Sequence, residues 1–350
     1  MVRSTAAGIV VMLTGLGAAS GTQQPPARPP QMTEKVDVSR VVVDVHVLAD
    51  DGSPILGLRA SDFRVLIDGR PAVIDQVRWA SDSIATQVTQ AESSATNRLD
   101  HAPVGLPAGR QIIMLVQRDL EPSRFQGLVT LLRRAVGFVD GLHRDDRVAV
   151  VSFQSHLDLW TDYTTDHAVL RALMERRLLT QAPPADVAQG EGPSLSLAFD
   201  RSAGRRASSM EQALVVLARA LDSLPGEKWV VVFGFGFGRM LSGMVAVDAE
   251  YGEASQLLMK ARAKVFCLDV TDAASHTLEA GLQQVAADTG GFYARTNEWP
   301  GLAMDRLGLA LSGRYEVALV KPDLPRGEHA ITIQLVGRTA RVLARRAYRD

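Results

Sequence analysis

Apolar residues recur along this chain in three rhythms, and the rhythm changes twice. From Val36 to Leu48 they alternate, with Val41, Val43, Val45 and Val47 on one face and Val42, Asp44, His46 and Leu48 on the other, the mark of a strand. Asp51-Gly52 is placed to turn it, and His46 reads as a half-exposed strand residue. Ser61 can cap one helical turn. Phe63, Val65 and Ile67 then alternate into Asp68-Gly69, a strong hairpin signal, with Ile74, Val77 and Trp79 expected on the return. From Gln111 the pattern becomes continuous: IIMLV (112–116), RVAVVSF (147–153), WVVVF (229–233) and VFCLDV (265–270) are short runs suited to strands buried on both faces of a parallel sheet. Helical spacing separates them. Phe125, Leu128, Leu132, Ala135 and Val139 form one stripe, Leu214, Leu217, Leu221 and Leu224 another, and Leu278, Leu282 and Val285 a third that Gly290-Gly291 ends. A strand at 292–294 and a helix at 300–311 follow. Alternation then returns in Tyr315, Val317 and Leu319, in Ile331, Ile333 and Leu335, and in a third possible strand from Val342.

The expected fold is therefore α/β, a doubly wound, mostly parallel sheet over 110–312, flanked by β segments at 36–80 and 313–350. Neither flanking segment has enough strands to be stable alone, so the two are expected to pack together as one sandwich-like module with the α/β domain inserted between them. Residues 81–109, rich in Ser, Thr and Gln and ending in Pro103, Pro107 and Gly109, read as a linker. His156 to Thr161 reads as a short edge strand beside RVAVVSF, followed by a helix that Thr165 or Asp166 caps. Thr180 to Ala207, poor in apolar residues, reads as a mobile flap or disorder. Ser123 is placed to cap the first long helix, Ser208 and Ser209 both fit capping boxes, and Asp248 can cap a helix that brings Tyr251, Leu257 and Leu258 inward.

Composition narrows the functional classes. With 46% hydrophobic and 22% charged residues the chain can bury a core, and 38 Lys plus Arg against 39 Asp plus Glu leave no global field to favour nucleic acid. Cys267 is the only cysteine, so no disulfide can form within the chain, and its place in an apolar run makes it a core residue. Arg3, the apolar segment Ala6 to Ala19 and the small residues Ala18 to Gly21 read as a secretory signal peptide over 1–20, followed by a Pro-rich spacer over 21–35. The segment is too short to favour a spanning helix and no cysteine follows it to carry a lipid, so the expected location is secreted or periplasmic.

Several stretches in order carry a resemblance: DGSPILGLRASDFRVLIDGRPAVI (51–74), FVDGLHRDDRVAVVSF (138–153), TGGFYARTN (289–297) with SGRYEVALVKP (312–322), and ARVLARRAYR (340–349). Together they resemble the bacterial secreted proteins with a von Willebrand factor type A-related domain. The resemblance implies a type A fold whose strand carboxyl ends hold a divalent cation that engages a protein partner. It implies an Asp-x-Ser-x-Ser loop after the first strand, a Thr before a later helix and an Asp after the fourth strand. Here Gln117 and Arg118 follow the first apolar run directly, and Arg118 would bring a positive charge to the cation's place. In a slipped register Asp119-x-Glu121-x-Ser123 keeps the spacing that turns three oxygens to one side. Ser208 or Ser209 can stand for the Thr. The distal Asp is missing, because Phe233 is followed by Gly234, Phe235 and Gly236. Asp119 as a solvated loop acid and Ser123 as a cap is the other reading.

The expected function is thus a non-enzymatic protein-binding, adhesion or scaffold module with a degenerate metal-ion-dependent adhesion site. Its binding loops would be Arg118, Asp119, Glu121, Ser123, Ser208, Ser209, Gly234 and Gly236, with Mg²⁺ or Ca²⁺ at Asp119, Glu121 and Ser123 as a variant. The alternative is a secreted hydrolase using the switch-point loops. Ser152, His156 and Asp158 lie close in sequence, but a strand-to-strand setting offers no nucleophile elbow. FGFGFG lacks the Lys-Ser/Thr of a phosphate loop and reads as flexible backbone. The basic tail Arg338, Arg341, Arg345, Arg346 and Arg349 reads as a charged, solvated strand edge.

Overall fold

The computed structural model describes residues 40–50, 53–81, 109–190, 192–241, 244–273 and 276–349. The expected signal peptide, the spacer, the Asp51-Gly52 turn and nearly all of the linker lie outside them.

The first strand, β1 (Arg40–Leu48), is followed by β2 (Phe63–Ile67), β3 (Arg70–Pro71) and β4 (Ile74–Ser81). At the far end of the chain lie β13 (Gly313–Val320), β14 (Glu328–Leu335), β15 (Arg341–Ala344) and β16 (Ala347–Arg349). They interleave in two antiparallel sheets, β15-β1-β13-β4 and β16-β14-β2-β3. The odd valines of β1 are buried with Phe63, Val65, Ile67, Tyr315, Val317 and Leu319. Each such side chain gains about 1.5–3 kcal/mol on burial, so a one-residue slip that put Asp44 and His46 in their place is excluded. Tyr315 ties the loop before β2, accepting from the Leu58 N–H at 3.1 Å and donating to the Ile55 carbonyl at 2.9 Å.

Asp68 and Gly69 form the two-residue turn, both with positive φ (49° and 76°), the geometry that matches strand twist. The return differs from the expectation. The strand beside β2 ends at Pro71, and Ile74, Val77 and Trp79 belong to β4 in the other sheet, paired with β13. β4 therefore crosses between the sheets instead of completing a hairpin.

Between these ends lies a six-stranded sheet. Its members are β5 (Gln111–Gln117), β6 (Arg147–Phe153), β7 (Leu157–Thr164), β8 (Lys228–Gly234), β11 (Ala263–Asp269) and β12 (Tyr293–Arg295). A small hairpin, β9 (Arg239–Leu241) and β10 (Met244–Ala246), follows β8. The order is β12-β11-β8-β5-β6-β7, parallel except for β7, which runs antiparallel to β6 at the edge. Chain order reverses between β5 and β8, so the loops after these two strands border the crevice where open α/β sheets take ligands. Helices α1 (Pro122–Asp140), α2 (His167–Ala172), α3 (Leu195–Ala198), α4 (Arg201–Arg206), α5 (Met210–Asp222), α6 (Glu250–Lys260), α7 (Glu279–Thr289) and α8 (Pro300–Ala310) cover the sheet. Two apolar cores result, one on each face.

Residues 192–207, expected within a mobile flap or disorder over 180–207, are folded. Asp162 organises them: its carboxylate accepts from the backbone N–H of Gly190, Leu195 and Ser196 and from the hydroxyls of Ser194 and Ser196. These bonds start α3 and deliver Leu195, Phe199 and Ala207 into the core. The organising signal is one acid in an earlier strand, which a local reading of 180–207 cannot contain.

His46 also departs from the expectation. It is 1% exposed and lies edge-on to Trp229 and Phe266, because the even face of β1 packs on the α/β part. Around it sits a buried ionic network: Arg314 reaches Asp44 at 3.1 Å and Glu227 at 2.8 Å, Lys264 reaches Glu227 at 2.6 Å and His46 at 2.9 Å, and Arg262 pairs with Asp44 at 3.0 Å. Despite burial, the charges of Lys264, Arg314 and Arg262 hold the Asp44 carboxyl well below the usual range, while burial pushes Glu227 up. Three arginines of the tail are likewise not free edge charges. Arg345 donates to the Val42 carbonyl, Arg346 faces Asp288 and Arg349 bonds Gln256.

Candidate functional site

The crevice is built first by Gln117, the last residue of β5. A polar side chain buried at a strand end must find partners, and Gln117 finds three in the loop after β8. Its Oε1 accepts from the N–H of Phe235 and Gly236 at 3.0 and 3.2 Å, and its Nε2 donates to the Gly236 carbonyl at 2.8 Å. Gly236 has φ 111°, and a Cβ there would strike the Leu278 carbonyl, so only glycine fits. Phe237 is buried beside Tyr251. The FGFGFG stretch is therefore pinned, not flexible backbone.

Beyond Gln117 the chain turns into α1. Glu121, not Ser123, is the residue that caps it, accepting from the Arg124 N–H at 3.1 Å, with Pro122 in the first helical position and the Ser123 hydroxyl donating to the Glu121 carboxylate. Asp119 accepts from the Glu121 N–H at 3.1 Å and forms an ion pair with Arg124. The Arg124 guanidinium lies 4.2 Å from the centre of the Phe235 ring and 3.9 Å from the Glu121 carboxylate. Although burial, the largest single effect, pushes the Asp119 carboxyl up, hydrogen bonds from Arg124 and backbone together hold it low, and the Ser123 and Arg124 bonds do the same for Glu121. The charge that meets these acids is thus Arg124. Arg118, to which the sequence reading gave that place, lies over Trp160 of β7, 5.7 Å from the ring centre.

The structure joins the loop after β5 to Gly234 and Gly236 through Gln117. It commits the serines elsewhere: Ser209 caps α5, accepting from the Gln212 N–H at 3.2 Å, and Ser208 donates to the Gln212 side chain. Asp248 does not cap α6 with its side chain, which instead takes Arg239 at 2.6 Å. For the hydrolase reading, the Ser152 hydroxyl accepts the Trp160 indole N–H at 2.8 Å, while His156 pairs with Asp158 at 3.2 Å and with Ser155. These contacts hold a strand pair together and leave Ser152 no base. Burial pushes the Cys267 thiol up, away from the reactive thiolate.

One cluster escaped the sequence reading. Asp269 ends β11, buried; its Oδ2 faces His276 Nε2 and the Tyr293 hydroxyl, both at 2.7 Å, and its Oδ1 accepts from the Thr271 N–H at 3.0 Å. Glu279, at the start of α7, accepts from Tyr293 at 3.0 Å and from two guanidinium nitrogens of Arg295. Ligand atoms of Asp269, His276 and Glu279 lie within 4.8 Å of one another. This donor set suits a borderline divalent ion such as Zn²⁺, provided His276 gives up its bond to Asp269. The signal was an acid inside the apolar run VFCLDV, with His and Glu in the loop and helix that follow.

No protein-family model matches the chain, and no curated protein sequence matches it. Among solved structures it is similar to an aerotolerance-related membrane protein from Bacteroides fragilis, at 15% identity, covering 58% of this chain and 98% of that one, TM-score 0.39. It is similar to the manganese-loaded TRAP protein of Plasmodium vivax at 13% identity, covering 67% and 92%, TM-score 0.40. It is also similar to a von Willebrand factor type A protein from Catenulispora acidiphila at 10% identity, covering 85% and 74%, TM-score 0.40. These scores are too low to assign a family. With strand order β12-β11-β8-β5-β6-β7, one antiparallel edge strand and helices on both faces, the middle of this chain is a doubly wound, mostly parallel α/β domain, as its sequence led us to expect.

Proposed function

We propose that the protein is a secreted or periplasmic, non-enzymatic binding module that engages a protein partner through the carboxyl ends of the six-stranded sheet, without a cation at the loop after β5. The observation that carries the reading is the Arg124 guanidinium between Asp119, Glu121 and Phe235. It supplies the positive charge these acids need, and a hard cation placed there would have to displace it. Exposed apolar side chains favour a protein partner. Leu120 (78% exposed), Leu241 (57%) and Trp299 (68%) stand in segments that follow β5, β8 and β12, all at the carboxyl end of the sheet. Large aromatic and aliphatic groups of this kind are the anchors of protein interfaces. Secretion rests on the sequence pattern of residues 1–20, and among the described residues no helix is long and apolar enough to cross a membrane.

The test is a photo-crosslinking amino acid placed at Leu120, at Trp299 and, as control, at Val336 of the sandwich, with each protein expressed in its host. Crosslinks to one protein partner from the first two positions, absent from the third and unchanged by EDTA, are expected, together with no heat of Mg²⁺ binding in calorimetry. Crosslinks abolished by EDTA, or tight Mg²⁺ binding lost in Asp119→Ala, would overturn the cation-free reading. Absence of any crosslink from Leu120 and Trp299 would overturn the surface itself.

A further inference from the structure

A cavity of about 330 Å³ opens where β1 meets the amino end of β11, lined by Val42, Asp44, Met259, Arg262, Lys264 and Arg345 among others. The charges around it do not balance. Arg262, Lys264, Arg314 and Arg345 converge on Asp44 and Glu227, and the neighbouring pairs Arg78–Glu316 and Arg40–Asp75 each add one charge of either sign. His46 contributes nothing, since burial and then Lys264 and Arg314 keep it neutral. Among the described residues two positive charges are left over.

Arg345 is where the excess shows. One of its nitrogens donates to the Val42 carbonyl at 2.8 Å, its buried Nε has no acceptor, and among the described residues no carboxylate lies within ion-pair distance of it. An unmatched guanidinium facing a cavity beside a second one is costly unless something anionic arrives, because burial weakens its hydration and Arg262 repels it. Guanidinium forks suit oxyanions, which accept two parallel N–H bonds from each.

We propose that this cavity is a binding site for a small phosphate-type dianion, held by Arg345 from the sandwich and by Arg262 and Lys264 from the α/β part. The two excess charges match a dianion, and the volume holds a phosphate with a short organic substituent. Bound there, the anion would bridge the two halves of the molecule.

The experiment is calorimetric titration and thermal melting of the full protein with inorganic phosphate, glycerol phosphate and succinate at fixed ionic strength. Saturable phosphate binding with a rise in melting temperature is expected. Tighter glycerol phosphate binding would identify an ester as the form accommodated; tighter inorganic phosphate would identify the free ion. Arg345→Gln should weaken binding about tenfold or more, Arg345→Lys less, and Arg341→Gln, outside the cavity at the start of β15, not at all. A ligand-free melting temperature of Arg345→Gln at or above that of the unsubstituted protein would show that Arg345 is not there for stability. Should Arg345→Gln fail to fold, the loss of affinity in Arg345→Lys relative to Arg341→Gln decides. Binding of succinate alone, no saturable phosphate binding, or equal affinity in the Arg345 and Arg341 variants would overturn the proposal.

Discussion

His46 and Arg124 illustrate how a side chain's meaning depends on the charges around it. Arg124 has its acids, Asp119 and Glu121, close by in sequence; the partners of His46 are distant. Arg124 sits in the first turn of α1, where the helix dipole disfavours a cation, and that misfit was the legible sign that acids hold it there. His46 carried no such sign, since its partners Lys264, Trp229 and Phe266 lie in β8 and β11. Its burial has a consequence for pH. In the unfolded chain it takes a proton near 6.5, whereas in the fold burial, then Lys264 and Arg314, keep it neutral well below that, against the pull of Asp44. Between those two values the unfolded state binds the extra proton, so stability rises with pH and is lost as pH falls below 6.5. The slope is at most about 1.4 kcal/mol per pH unit. His46→Gln, which keeps an acceptor for Lys264, is expected to flatten the dependence of urea stability between pH 7 and 5; an unchanged difference between the two proteins across that range would refute the assignment.

At the scale of elements, period and punctuation revealed what local chemistry decides. The alternating valines of β1, the continuous runs of β5, β6, β8 and β11, and the turn at Asp68-Gly69 each follow from nearby residues. What stayed hidden depended on one distant group. The stretch 180–207 is largely polar because the group that organises it is an anion, Asp162, whose bonds bring Leu195, Phe199 and Ala207 into the core. Asp162 keeps its charge because bonds from Ser194, Ser196 and backbone N–H groups outweigh the cost of its burial. Hydrogen bonds to a charged group contribute about 1.5–3 kcal/mol each. Asp162→Ala is therefore expected to lose about 3 kcal/mol and to open the segment first. Limited proteolysis should find new cuts between residues 181 and 206 while the six-stranded sheet stays protected; cuts distributed evenly over the chain would show that Asp162 holds the sheet and not the segment.

For the whole molecule, the two ends of the chain meet in the sandwich, and the sandwich meets the α/β part through ions as much as through apolar contact. Leu48 at the end of β1 joins the α/β core, but Asp44 and His46 beside it are polar. Such a seam fixes relative position, because each buried charge is tolerable only against its own partner. Arg314 is the hub: it belongs to β13 of the sandwich and pairs with Asp44 of β1 and with Glu227 before β8. Removing it takes from both carboxyl groups, in a buried place, the guanidinium that bridges them. Glu227, already pushed up by burial, would take a proton, and Asp44 would keep Arg262, Lys264 and Arg345 near it. Arg314→Ala is expected to cost about 3–5 kcal/mol. It should also split a single calorimetric unfolding transition into two, as the sandwich loosens before the α/β sheet melts. A variant that is destabilised yet still unfolds in one transition would mean that the apolar contacts of Leu48 and the packing of His46 on Trp229 couple the halves without help from the ions.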